Sequence, residues 1–314
     1  MTLQSVLMAA LVPISVGLLV ALMWGVRIVA RRYELSAEVQ RKAVHVATGI
    51  FAMSLPWLLP EAWLVYSLLG LAIVVMCVLR LPAVAKGGVG EALHGVERAS
   101  WGDLMLVAAV GTLYFFSGQG AVPVLYILPL AVLTLADAAA ALAGSSYGRM
   151  RYTVEEGQKS LEGSTIFFLI TWILAMVGLL LLSDVPRTNV VLLSVMAAAF
   201  ATVVEADSWR GLDNLFVPVA LQAVLLDALA ADTMRIVALL AMLTGCMAVT
   251  ITASRLFDFG RHEARVGGLL IFMVWTIAGL EDVILPGLAL ATFVASERLR
   301  PSAAAFPYLN GLLA

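Results

Sequence analysis

The chain is short of charge. Lysine, arginine, aspartate and glutamate make up 13% of its 314 residues, with a formal net charge of −2, two cysteines and three histidines. Each shortage excludes something. Cys77 and Cys246 both fall inside apolar runs and supply neither a disulfide framework nor a CxxC metal site. A net charge this close to zero points to neither nucleic acid nor an acidic partner. With 62% hydrophobic residues and a mean hydropathy of +1.00, a water-soluble domain is excluded too, because so much apolar surface cannot be hidden in one core.

What the sequence does have is a series of apolar runs bounded by charge, glycine or proline. Eleven read as spans: residues 3–29, 43–59, 63–79, 104–117, 122–142, 165–182, 190–204, 215–229, 236–253, 266–279 and 283–295. Several fall short of the ~20 residues a full crossing needs, so they must borrow flanking residues, thin the bilayer or re-enter it. The first run is too long for a signal-peptide core and lacks a basic n-region, so it is expected to stay as a membrane helix. The expected fold is all-α, a polytopic transmembrane bundle of about nine to eleven spans. Residues 1–231 are expected to form the membrane-embedded functional domain, and 232–314 to add further helices.

Orientation follows from the basic residues. With the N-terminus outside and spans alternating, only Arg187 and Arg235 of the 19 lysines and arginines fall outside. The positive-inside rule demands such a bias. It gathers the polar motifs on the cytoplasmic face of a cell-membrane protein, where nucleotides are.

Those motifs centre on residues 137–164. Asp137 is a carboxylate within an apolar run, an expensive placement that usually marks a site. Its bland alternative is a helix-packing residue hydrogen-bonded to a neighbour. Mg²⁺ is the natural partner, with general base toward a lipid hydroxyl as a second role. Ala138 to Ala141 follow and leave a narrow helix face. Gly144-x-x-x-Gly148 in isolation is a small-residue helix contact. Followed by Arg149 and Arg151 at a basic membrane exit, it is expected to be a flexible loop facing phosphate. Lys159-Ser160-Leu161-Glu162-Gly163-Ser164 opens the next run as a serine cap with an acidic first turn, and Lys159 adds a point charge for phosphate.

Arg41 and Lys42 read equally well as a basic stop at the inner interface. His45, on the Arg41 face at i, i+4 spacing, can bind phosphate or shuttle a proton. Glu205 and Asp207 end one span, while Arg210, Gly211, Asp213 and Asn214 open the next ahead of Pro218. They form either a capped tight turn or a second acidic pole for a metal or nucleotide. His94 with Glu97 and Arg98, the Glu155-Glu156 pair and the Arg255–Arg265 stretch read as solvated loops.

Taken in order, Arg41-Lys42-x-x-His45-x-x-x-Gly49, Asp137 through Gly144, Gly148-Arg149, Lys159 through Ser164, Glu205, and Gly211-Leu212-Asp213-Asn214 with Pro218 resemble the polyprenol kinase family. That family comprises phytol kinase, dolichol kinase and the CTP-dependent diacylglycerol kinases. The resemblance covers about residues 27–229, and the Lys-Ser-Leu-Glu-Gly-Ser element is its most specific piece. It implies transfer of the terminal phosphate of a nucleotide, typically CTP, to the primary alcohol of a membrane lipid, with a divalent metal such as Mg²⁺. By resemblance, Asp137, Lys159 and His45 are catalytic. Arg41, Lys42, Gly144, Gly148, Ser160, Glu162, Gly163 and Ser164 bind nucleotide phosphate, and Asp137, Glu205, Asp213 and Asn214 hold the metal. Ser145 and Ser146 depart from the family, which often has a basic residue there. The Asp, glycine and Lys-Ser-x-Glu-Gly pattern is also similar to CDP-diacylglycerol synthases, which attack the α-phosphate of CTP; the Arg-Lys-x-x-His element favours the kinase. The remaining alternative is a proton-coupled transporter or scaffold, in which the Lys-Ser-Leu-Glu-Gly-Ser loop has no purpose.

Overall fold

A computed structural model describes residues 3–79, 101–154, 158–208, 211–257 and 261–278. His94, Glu97, Arg98, Glu155, Glu156, Arg210 and the expected span 283–295 lie outside the described residues. Lipid offers no hydrogen bonds to a bare backbone, so apolar runs must satisfy their own amides as helices. Each expected span from 3–29 to 266–279 coincides with one. The helices are α1 (Leu3–Arg32), α2 (Ala37–Leu58), α3 (Ala62–Leu79), α4 (Gly102–Phe116), α5 (Pro123–Ala131), α6 (Asp137–Tyr147), α7 (Leu161–Leu182), α8 (Arg187–Asp207), α9 (Asp213–Ala228), α10 (Thr233–Phe257) and α11 (Arg261–Ala278). Among the described residues, five segments are long and apolar enough to cross a membrane: Ala10–Arg32, Pro123–Tyr147, Leu161–Leu182, Arg187–Asp207 and Thr233–Thr252. The protein is an all-α, polytopic membrane bundle.

The segment Pro123–Tyr147 is its centre. A π-turn at Val132–Ala136 joins α5 to α6 without breaking the helix, and Asp137 follows directly. This helix is 78% buried over its most apolar window, against 11% for Ala10–Arg32, because cores form on both of its sides. On one side Tyr126, Leu130 and Leu133 pack with Phe51, Leu55, Leu64, Val65 and Leu113 from α2, α3 and α4. On the other, Val124, Leu128, Val132 and Ala136 pack with Phe167, Phe200, Leu221, Ile236 and Phe272 from α7 to α11. Helices α10 and α11 therefore share a core with the helices that precede them. Two buried polar ties lock the centre: the Tyr126 hydroxyl donates to the Ala52 carbonyl at 2.6 Å, and Gln222 Nε2 donates to the Leu113 and Leu125 carbonyls at 2.9 and 3.1 Å.

The stretch after Tyr147 differs from the expected loop. Gly144 lies inside α6, and the chain then makes a short antiparallel hairpin of β1 (Arg151–Thr153) and β2 (Gln158–Ser160). Its register pairs Tyr152 with Lys159 and Arg151 with Ser160. Three residues per strand show no usable alternation in sequence, which is why the hairpin is not legible there.

Candidate functional site

One face of α2 builds the site from below. Lys42, His45 and Gly49 follow at i, i+3 and i+7 and all meet the π-turn or Asp137. Lys42 Nζ donates to Asp137 Oδ2 at 2.6 Å, with both side chains buried. His45 Nε2 lies 3.1 Å from the Leu133 carbonyl and 3.5 Å from Asp137 Oδ2. A carbonyl only accepts, so Nε2 carries the proton and donates. Gly49 meets Thr134, and a Cβ there would lie 2.1 Å from Thr134 Oγ1. That close approach requires glycine and seats α2 against the π-turn. π-turns inside helices are frequent at functional sites, since the extra residue re-aims the side chains that follow.

The expected pairing of His45 with the Arg41 face is corrected. Lys42 shares the buried face with His45, whereas Arg41 turns outward and its guanidinium donates to Glu38 at 2.7 Å. The register of a 3.6-residue helix separates two adjacent basic residues that look equivalent in sequence. Arg41 remains within electrostatic range of Asp137 and Asp213.

The end of α6 and the start of α7 build the second wall. Ser160 caps α7, its Oγ accepting from the Gly163 N–H at 3.1 Å. Three glycines close around that hydroxyl. A Cβ on Gly144 would meet Ser160 Oγ at 2.9 Å, one on Gly148 would meet the Gly144 carbonyl at 2.3 Å, and one on Gly163 would meet the Ala140 carbonyl at 3.0 Å. Gly144 and Gly148 thus pack two helices closely, as a small-residue helix contact does, and the stretch expected to be a flexible loop is helical as far as Tyr147. The Glu162 carboxylate accepts from the Arg149 and Met150 N–H groups at 3.0 and 3.1 Å, pinning the turn after α6. Ser164 Oγ pairs with the Tyr152 hydroxyl at 2.7 Å. Burial pushes the Tyr152 phenol above the ordinary tyrosine range, with the Ser164 hydrogen bond opposing.

The third wall is the end of α8. Lys159 Nζ donates to Glu205 Oε1 at 2.7 Å and also to the Glu205 backbone carbonyl. Asp213, in the first turn of α9, has Oδ1 buried with no hydrogen-bond partner, in the electrostatic range of Asp137, Lys159 and Lys42. Asn214 Nδ2 donates to the Gly102 carbonyl at 2.9 Å and ties α9 to α4. Among the described residues, no group of three or more His, Cys, Asp or Glu side chains is close enough to hold a metal alone.

The structure therefore brings Lys42, His45, Asp137, Lys159, Glu205 and Asp213 to one end of the bundle. It leaves Arg41 at the rim and turns Glu162, Asn214 and the three glycines to structural contacts. Sequence reasoning missed two features. The π-turn carries no glycine or proline to announce it. Arg265 of α11, read as part of an ordinary basic loop, donates to both oxygens of Asp207.

Comparison with known proteins bears on the family. A phytol kinase from Synechocystis sp. is 32% identical over 213 residues, which is 65% of this chain and 87% of that protein. No protein-family model matches the chain, and no solved structure matches it significantly. A likeness of that strength over most of the relative, on a membrane bundle that gathers Lys42, Asp137 and Lys159 at one end, means that the chain belongs to the polyprenol and phytol kinase family.

Proposed function

We propose that the protein is an integral membrane kinase that transfers the terminal phosphate of a nucleoside triphosphate, CTP by family resemblance, to the primary alcohol of an isoprenoid lipid such as phytol. The reaction takes place at the cytoplasmic leaflet, with the N-terminus outside, as the distribution of basic residues favours. The observation that carries the reading is buried Asp137 held by Lys42 and His45 beside the Lys159–Glu205 pair.

Phosphoryl transfer asks mainly for positioning and charge neutralisation. Lys42 and Lys159 supply two ammonium groups for phosphate oxygens, and Arg41 at the rim supplies a third cation. Glu205 orients Lys159 through its carboxylate and its carbonyl. Lys42 holds the Asp137 carboxylate by its hydrogen bond, and His45, donating from Nε2 to the Leu133 carbonyl, stands 3.5 Å from it; in this reading that carboxylate takes the proton of the lipid hydroxyl. The residues fit a divalent cation of the Mg²⁺ type, which takes one or two carboxylates and completes its shell with phosphate and water. Asp213, with its orphaned buried oxygen, and Asp137 would hold it. When bound, such a cation neutralises charge on the phosphates. The apolar chain of the alcohol then lies among helices already exposed to lipid.

The test uses purified protein with CTP labelled at the α or the γ phosphate, against phytol, a polyprenol, diacylglycerol and, as the acceptor a cytidylyltransferase requires, phosphatidate. The proposal expects γ label on an isoprenoid alcohol. Label from the α position would identify a cytidylyltransferase, and no label from either would remove both.

A further inference from the structure

Arg265 lies on α11, well beyond Pro218, the last residue of the family motifs. Its Nε donates to both oxygens of Asp207 at 2.8 Å, and its Nη2 donates to Oδ1 at 2.5 Å. The Asp207 side chain is only 3% exposed. A carboxylate that deep stays charged only against a partner that satisfies it. The planar fork of arginine grips both oxygens at once, which an ammonium cannot do.

Asp207 is the last residue of α8, two residues after Glu205. The same turn is closed by Ser208, whose N–H donates to the Glu205 carbonyl at 3.2 Å and whose hydroxyl donates to the Val204 carbonyl at 2.7 Å. That turn is therefore gripped from two sides, by Arg265 through Asp207 and by Lys159 through Glu205. Tyr152, opposite Lys159 in the hairpin, lies in the fields of Glu205, Lys159 and Arg265 together, which places the Arg265 guanidinium at the rim of the same site.

We infer that Arg265 is a positioning residue for Lys159, acting through Asp207 and the last turn of α8, so that α11 forms part of the nucleotide-binding end of the molecule. This rests on the reading of Lys159 as a phosphate ligand. Without its guanidinium, the two-oxygen grip on Asp207 is lost and the last turn of α8 shifts, carrying Glu205 with it. The partner that presents the Lys159 ammonium then moves away from the place where phosphate is met.

The experiment is steady-state kinetics on the full-length protein in detergent, varying CTP and phytol independently. Arg265→Gln is expected to raise the KM for CTP about tenfold, within the range that packed networks transmit, while the KM for phytol stays at the wild-type value. Arg265→Lys recovers part of the loss. Arg265→Gln combined with Asp207→Asn, which removes both charges of the pair, recovers most of it. A loss confined to kcat, an equal rise in both KM values, or no change in either overturns the inference. If Arg265→Gln does not fold, Arg265→Lys carries the same split on its own. A wild-type protein that moves no phosphate sinks the kinase reading and this inference with it, whereas an active wild type with unsplit KM values sinks the inference alone.

Discussion

Removing Lys42 should cost more than removing Lys42 and the Asp137 charge together. At 2.6 Å and an effective dielectric of ~20, the Lys42–Asp137 attraction is about 6 kcal/mol before desolvation. Much of that is offset by taking both groups out of water, so the pair's net value against an apolar replacement is near zero. Lys42→Met leaves the Asp137 carboxylate buried, with the His45 imidazole 3.5 Å away as its remaining close polar neighbour. Stranding one half of a buried pair costs about 3–5 kcal/mol, and the histidine places this case at the lower end. Lys42→Met with Asp137→Asn strands nothing and should return to within about 1 kcal/mol of wild type. Thermal unfolding in detergent reads the difference. At roughly 2–4 °C per kcal/mol for a chain of this size, Lys42→Met should unfold about 6–12 °C early. Equal losses in the single and double variants would mean that the two charges do not interact, and the assembly of the site would have to be redrawn.

Other consequences are local. Gly49→Ala should lower the unfolding temperature through an overpacking cost of about 1–3 kcal/mol, because its Cβ meets Thr134 Oγ1 at 2.1 Å. Gly70→Ala, with nothing within 4 Å, should be neutral or gain helix propensity. Glu162→Ala should speed tryptic cleavage at Arg149 and Arg151, because the carboxylate that holds the Arg149 and Met150 amides is gone; unchanged cleavage kinetics would refute that role. Tyr152 has a folded pKa raised by burial above the ordinary value of 10.0. The unfolded chain therefore loses that proton first, and stability falls as pH rises above 10.0. Tyr152→Phe should flatten that alkaline slope in a thermal scan against pH.

Much of the fold was legible because the bilayer leaves an apolar run few options, and charge, glycine and proline mark its ends. Asp137 was legible for the same reason in reverse: a carboxylate inside such a run has to be explained. The basic pair at Arg41 and Lys42 was visible, but which of them turns inward depends on helix register against Asp137, and only packing fixes that. Gly144 and Gly148 were legible as a small-residue helix contact, and that is the packing they make. Glycines around Ser160 serve backbone approach between α6 and α7, and the chain stays helical to Tyr147. The Asp207–Arg265 pair joins residues 58 apart, and nothing local to either predicts the other.

The most direct test of the account is phosphate transfer by Asp137→Asn. The variant keeps the size of the side chain and a neutral acceptor for Lys42, whose buried charge then lowers the unfolding temperature, and removes the charge on which metal binding and proton removal both depend. With γ-labelled CTP and phytol, and an unfolding temperature showing that the bundle is intact, transfer should fall by about a hundredfold or more, as expected when a positioned group at the reacting centre is lost. Folded Asp137→Asn protein that phosphorylates phytol at the wild-type rate would contradict the account at its centre.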